Sequence, residues 1–329
     1  IVMFSFIIPL SVDIDNQIVS NNDSKINNSK KDFEKVLSGE SIDDKEKVDE
    51  GLDLSNILED VFKFDELPED TVRLSASTIE QLFKDTNYSL SEVRRTKKVK
   101  PIRLSLLPNE MKSIENSGKR KNLFIKIILP LVLEENNRII IDRKKLFTIL
   151  NKNKNSKDEI KWLNQKFKQY GVVNKDLATL KVRMDIIPVS LAIAQAAKET
   201  GWGTSRFAIE GNALFGQWTW SGEGIKPAGA DTNATYKVMK FNVLKASVRA
   251  YQRNLNTHSS YKKFRFIRAQ LRDDNKKLDS LKLAEYLDNY AQTGTEYTKV
   301  LKQIIQQNQL KDFDEVKLLP LSVKYKNII

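Results

Sequence analysis

The chain has 329 residues, 40% of them hydrophobic, a formal charge of +12, no cysteine and a single histidine, His258. These absences exclude cysteine nucleophiles, disulfide scaffolds and Cys/His zinc sites, and a Ser-His-Asp triad would have to use His258. No Gly-x-x-x-x-Gly-Lys-Ser/Thr loop is present to cradle phosphates, so carboxylates and aromatic rings remain as the reagents.

Ile1 to Val12 is apolar and uncharged and does not begin with Met, so residues 1–12 read as the remnant of a signal peptide or a membrane anchor. Residues 13–66 read as an acidic, disordered linker. Asp13 to Asp60 holds 14 acidic residues against six lysines, which leaves the rest of the chain at +20. A body that basic suits a polyanion, and charge alone does not choose between cell-wall polymers and nucleic acid.

Residues 67–120 form an irregular basic connecting region around Arg94-Arg95-Thr96-Lys97-Lys98. A mainly helical domain is expected over 121–315, followed by a C-terminal tail at 316–329. Its first helix starts near Lys121 with Leu123, Ile127, Ile128 and Leu131 at helical spacing, and Pro130 is expected to kink or shorten it. Further helices are predicted over Arg143 to Asn151 and Lys157 to Tyr170, with Trp162, Phe167 and Tyr170 facing the core.

The stretch Ala194-Gln195-Ala196-Ala197-Lys198-Glu199-Thr200-Gly201-Trp202-Gly203 carries the chemistry. Pro188 suits the first turn of a helix, and Gly201 sits where a left-handed residue ends one. Glu199 is thereby placed at the helix C-terminus. The negative end of the helix dipole, with burial against Trp202, disfavours its ionised form, as a general acid for glycoside cleavage requires.

The following segment, Asn212 to Tyr236, is rich in glycine and holds Trp218 and Trp220, so it reads as an irregular lobe or short hairpin. Glu223 and Asp231 are its candidates for a second carboxylate. Trp202, Phe215, Trp218, Trp220 and Tyr290 offer flat faces for sugar C–H groups. Phe215 and Trp202, each beside a glycine, equally suit a plug of the core behind the cleft. Helices are predicted again over Phe241 to Asn256, Leu281 to Tyr290 and Tyr297 to Gln307, with His258 a structural cap or hydrogen-bond partner at the end of the first rather than a catalyst.

Four ordered blocks carry a family likeness: Gln195 to Ala208, Gly211-Asn212-Ala213-Leu214-Phe215-Gly216-Gln217-Trp218, Val248 to His258, and Tyr290-Ala291-Gln292-Thr293-Gly294-Thr295-Glu296-Tyr297. Through them the chain resembles the bacterial glucosaminidase-type peptidoglycan hydrolases, and within these the Bax-like proteins. The likeness covers roughly Ile186 to Asn308 and runs more weakly back to about Lys121. It implies an α+β, mainly helical, lysozyme-like domain with a small glycine-rich lobe, preceded by the disordered N-terminal tether. It also implies cleavage of peptidoglycan after N-acetylglucosamine, with Glu199 matching the family's acid and Tyr290 its cleft tyrosine.

Asn212 and the aromatic residues of the second block are assigned to the substrate side. Many relatives place a second glutamate where this chain reads Asn233-Ala234-Thr235-Tyr236-Lys237-Val238, so the acetamido oxygen of the substrate is the favoured partner of Glu199. No cofactor or metal is expected. The expected partner is the peptidoglycan glycan strand rather than nucleic acid, and the expected location is the periplasm or cell envelope, with membrane association through the N-terminal apolar segment. A lytic transglycosylase and a non-catalytic module binding wall or polyanion remain as alternatives.

Overall fold

The computed structural model describes residues 54–63, 65–67, 71–219, 224–227 and 236–320. The apolar opening and most of the acidic linker therefore lie outside the described residues.

The linker expectation over 13–66 nevertheless meets structure at its end. Leu54–Phe62 forms helix α1, whose Ile57, Leu58 and Val61 share one face and are buried against Phe241, Val243, Ala246 and Ala250. Its charge is also answered: Asp60 pairs at 2.9 Å with the buried guanidinium of Arg253, which donates as well to the carbonyls of Ile57 and Gln169. An acidic composition does not prevent docking when a buried arginine is waiting for it.

The region read as irregular, 67–120, adds helices α2, Ala76–Asp85, and α3, Leu90–Thr96, each started by a serine whose hydroxyl accepts a backbone N–H of the first turn. Ile79, Phe83, Tyr88, Leu90 and Val93 join the main core. Strand β1, Lys98–Val99, is paired in parallel with β5, Lys317–Leu318, which ties this region to the C-terminal end.

Helix α4 runs unbroken over Ser117–Leu150, through Pro130, and absorbs the helix expected at Arg143 to Asn151. Proline in a helix interior costs about 3 kcal/mol. Every residue from Leu123 to Leu133 except Lys126 is buried, and that apolar surface outweighs the local penalty. The far half of α4 builds a second cluster, through Ile139, Leu146 and Ile149, with α5, Lys157–Gln169, and α6, Leu177–Arg183.

The central helix α7, Val189–Thr200, packs on α4, on α12, Thr295–Gln307, and on the turn Leu310–Phe313. A short helix α8, Arg206–Gly211, follows, then a three-stranded antiparallel sheet in the order β2, Trp218–Thr219, β4, Lys237–Met239, and β3, Gly224–Ile225. Helices α9, Leu244–Thr257, and α10, Lys262–Asp273, complete the bundle. The helix expected over Leu281 to Tyr290 is instead the short α11, Ser280–Ala284, and a separate 3-10 turn at Asp288–Tyr290. Asp288 and Asn289 are short polar residues that favour turns over helix interiors. The arrangement is the α+β, mainly helical, lysozyme-like one that the sequence led us to expect. Among the described residues no helix is long and apolar enough to cross a membrane.

Candidate active site

Helix α7 owes its central place to its small residues: Ala192, Ala194, Ala196 and Ala197 let neighbouring helices approach, and each is buried. Pro188 is its N-cap and supplies no side-chain bond. A residue 124 positions away does so instead, since Asp314 accepts from the Ser190 backbone N–H and hydroxyl, both at 2.8 Å. At the other end Gly201 takes the left-handed conformation, φ 57°. The Thr200 hydroxyl donates to the Ala196 carbonyl and accepts from the Gly203 N–H, which fixes the turn that follows.

Glu199 emerges from this end, half-buried. Opposite it lies Gly216, φ 60°, where a Cβ would stand 3.2 Å from Oε2 of Glu199. Any side chain at 216 would be strained and would press on the carboxyl. Burial raises the pKa of Glu199 above the usual carboxylate range, against a hydrogen bond from Tyr297 and the positive charge of Lys198, which both lower it. The sequence attributed this shift to the helix dipole and Trp202. Trp202 instead sets its ring edge-on to Phe124, centroids 5.9 Å apart, beneath the ammonium of Lys121.

The enclosure around the acid is made of tyrosines. Tyr251, Tyr261, Tyr290 and Tyr297 all feel the charge of Glu199, and burial raises the pKa of each hydroxyl, that of Tyr261 to about 12. Tyr290 stacks on Tyr297, centroids 5.5 Å apart, and donates its hydroxyl to the Phe215 carbonyl at 2.8 Å. That bond ties the turn Asp288–Tyr290 to the loop holding Gly216. Tyr251 donates to the amide oxygen of Gln195, whose amide nitrogen donates to Tyr297.

The remaining residues singled out from the sequence divide sharply. Phe215 is 1% exposed and stacked face to face on Tyr251 at 3.8 Å, so it is a floor of the site. Asn212 is buried with left-handed backbone at the end of α8, its amide nitrogen held by the carbonyls of Phe241 and Asn242. Trp218, on the edge strand β2, is 48% exposed beside Tyr236. Trp220, Glu223 and Asp231 lie outside the described residues. His258 accepts the Ser260 N–H at Nδ1, capping the start of the turn Ser259–Tyr261, while its backbone N–H bonds the Asn254 carbonyl at the end of α9.

Sequence reasoning passed over Gln195, Tyr251, Tyr261, Gly216 and Tyr297. All lie in or beside the quoted blocks. The available signal was polar residues in apolar helices: Gln195 precedes Glu199 by four positions, hence on the same face of α7, and is 0% exposed.

Residues 174–310 match the glucosaminidase family model, described as mannosyl-glycoprotein endo-beta-N-acetylglucosaminidase. The chain is also similar to the protein bax of Escherichia coli (strain K12), 34% identical over 214 residues that cover 62% of this chain and 75% of that relative. No solved structure matches.

Proposed function

The chain belongs to the glucosaminidase family as a Bax-like member, and from that premise we propose that it is an exported peptidoglycan hydrolase, an endo-β-N-acetylglucosaminidase of the periplasm or cell envelope. The observation that carries the reading is Glu199: a carboxyl at the end of a buried helix, inside a tyrosine enclosure, with its pKa raised by burial.

Cleavage needs a proton for the departing oxygen and a partner for the positive charge at the anomeric carbon. Glu199 gives its proton to the oxygen that leaves with N-acetylmuramic acid. The acetamido oxygen of the N-acetylglucosamine on the other side meets the developing charge, and water completes the reaction. Tyr290, next to the Gly216 loop through its bond to Phe215, holds that sugar from the helical side, and Trp218 offers it an aromatic face. The favourable charge of the body supports binding to an anionic wall.

Digestion of purified peptidoglycan, reduction with borohydride and mass analysis of the fragments test this reading. The expected product is reduced N-acetylglucosamine at the new end. Reduced muramic acid would mean the other bond is cut, and an unreducible anhydromuramic end would make the enzyme a lytic transglycosylase. Asp231→Asn and Glu223→Gln should each slow the reaction far less than Glu199→Gln; near-total loss in either would replace substrate assistance by a carboxylate pair.

A further inference from the structure

We propose that the pocket between α2, α3 and the start of α4 is a binding site for a short peptide bearing a free carboxylate, with the ammonium of Lys126 as its anchor. Neither Glu199 nor the tyrosines around it line this pocket. That the peptide is the stem of peptidoglycan rests on the proposed function; that the site takes a carboxylate peptide does not.

The pocket holds about 900 Å³, within the range of ligand sites. Its walls follow from spacing. Glu80, Phe83, Lys84 and Asn87 recur at intervals of three and four along α2 and the turn that ends it, and Lys119, Asn122 and Lys126 do the same on α4, so each set shares one face. The turn between α2 and α3 is fixed by its own bonds: the Asn87 and Tyr88 N–H groups return to the carbonyls of Lys84 and Phe83, with Asn87 in the left-handed conformation. Tyr88 sets its ring edge-on to Phe83 and donates its hydroxyl to the Lys126 carbonyl at 3.0 Å, which joins the turn to α4. The fold itself therefore sets the walls.

Charge decides what they hold. Lys126 is half-buried, its ammonium 4.7 Å from the centre of the Phe83 ring. Among the described residues, the ammonium groups of Lys84, Lys119 and Lys126 have no hydrogen bond and no ion pair. A ring face answers a cation only in part, and a carboxylate arriving at Lys126 meets a charge that water solvates poorly, which strengthens the pair. Burial lowers the pKa of this ammonium against the attraction of Glu80, in keeping with that poor solvation. Of the two carboxylates on the wall, Glu92 is engaged by Arg95 at 2.6 and 3.0 Å, which leaves Glu80. This mixture favours a peptide over a polymer of phosphates. The cations take the carboxylate of the peptide, Glu80 takes an N–H or an amine and repels a row of phosphates, and the amides of Asn87 and Asn122 match peptide groups as donors and acceptors at once.

Calorimetric titration of the full chain with the stem tetrapeptide, freed from purified peptidoglycan by an amidase, tests the site. Saturable binding is expected. Lys126→Met keeps an unbranched side chain on Phe83 without the charge and should weaken binding by about tenfold or more, the size of one hydrogen bond to a charged group. The peptide with its carboxylates converted to amides should lose at least as much. Glu199→Gln should bind it as the wild type does, and a loss there would seat the peptide in the active site and overturn the proposal. No saturable binding, or binding that Lys126→Met leaves unchanged, overturns it too. So does inorganic phosphate that displaces the peptide at equal concentration, because the pocket would then read charge alone. Should Lys126→Met fail to fold, Lys119→Ala, at an exposed residue, decides by the same readout, weaker binding supporting the site and unchanged binding overturning it. Peptide binding by a protein that does not hydrolyse peptidoglycan would uphold the site and overturn the proposed function, and hydrolysis without peptide binding would do the reverse.

Discussion

Phe215 and Trp218 stand three residues apart and meet opposite surroundings. Phe215 is sealed behind the acid on the ring of Tyr251, whereas Trp218 leaves 48% of its surface open on an edge strand. The contrast divides the site into a floor and a wall. The floor is built by α7, α9 and α12, with Gln195, Tyr251 and Tyr297 buried in close-packed surroundings and Glu199 half-buried at their edge. The wall is built by β2, β4 and β3, strands of two or three residues that bury only Val238. Under the proposed function, chemistry that tolerates little misplacement falls to the packed helices, and sugar contact, which tolerates more, falls to the short sheet.

The largest test of the floor is Glu199→Gln. The amide keeps the size of the side chain but has no acidic proton to give, so hydrolysis should fall by about 10²- to 10⁴-fold. Thermal unfolding and binding to peptidoglycan should stay close to wild type. A variant that turns over at a near-normal rate would move the acid elsewhere.

Phe215→Ala separates floor from wall next. Removing a ring that is 1% exposed leaves a cavity beneath Tyr251 and should cost about 3–5 kcal/mol in urea unfolding. If stability is unchanged and only substrate affinity drops, Phe215 belongs to the wall and the division fails.

The same division explains what could be read from the sequence. Helix α7, its glycine stop and Glu199 were legible because capping and periodicity are local signals. The chain Tyr251, Gln195, Tyr297 was not, because its members are 56 and 102 residues apart and no spacing rule joins them. Pro130 does not end α4 for a related reason: its cost is local, while the burial that outweighs it is tertiary. The docking of α1 was hidden by composition, since the acidic stretch gives no hint that Arg253 and the backbone of Asn242 and Val243 lie ready for Asp60 and Asp65. Of the aromatic residues, sequence left Phe215 open between core plug and sugar face, and the structure buries it while Trp218 stays exposed.

The floor is also held from a distance, through Asp314 at the start of α7. Burial outweighs its two bonds to Ser190 and pushes its carboxyl from 3.8 up to about 6. Between those values the native state binds the proton more tightly than the unfolded chain, so this group favours folding less as pH rises, and its effect is constant above about pH 6. Asp314→Asn lacks that dependence. The stability of wild type relative to the variant should therefore fall between about pH 4 and pH 6, by up to about 3 kcal/mol. Urea unfolding at several pH values measures it, and a difference that rises or stays flat would remove Asp314 as a titrating cap.

Trp218→Ala probes the wall and should give the smallest effect. The ring contacts Tyr236 at 5.4 Å and leaves 48% of the residue exposed, so its removal should hardly change the unfolding midpoint. Stacking on a sugar face is worth about 1 kcal/mol, which predicts a roughly fivefold rise in KM. Because the ring lies on β2 and not on the helix that carries Glu199, kcat should stay nearly constant. A fall in kcat without a change in KM would mean that the strands help to place the acid, and the separation of floor from wall would not hold.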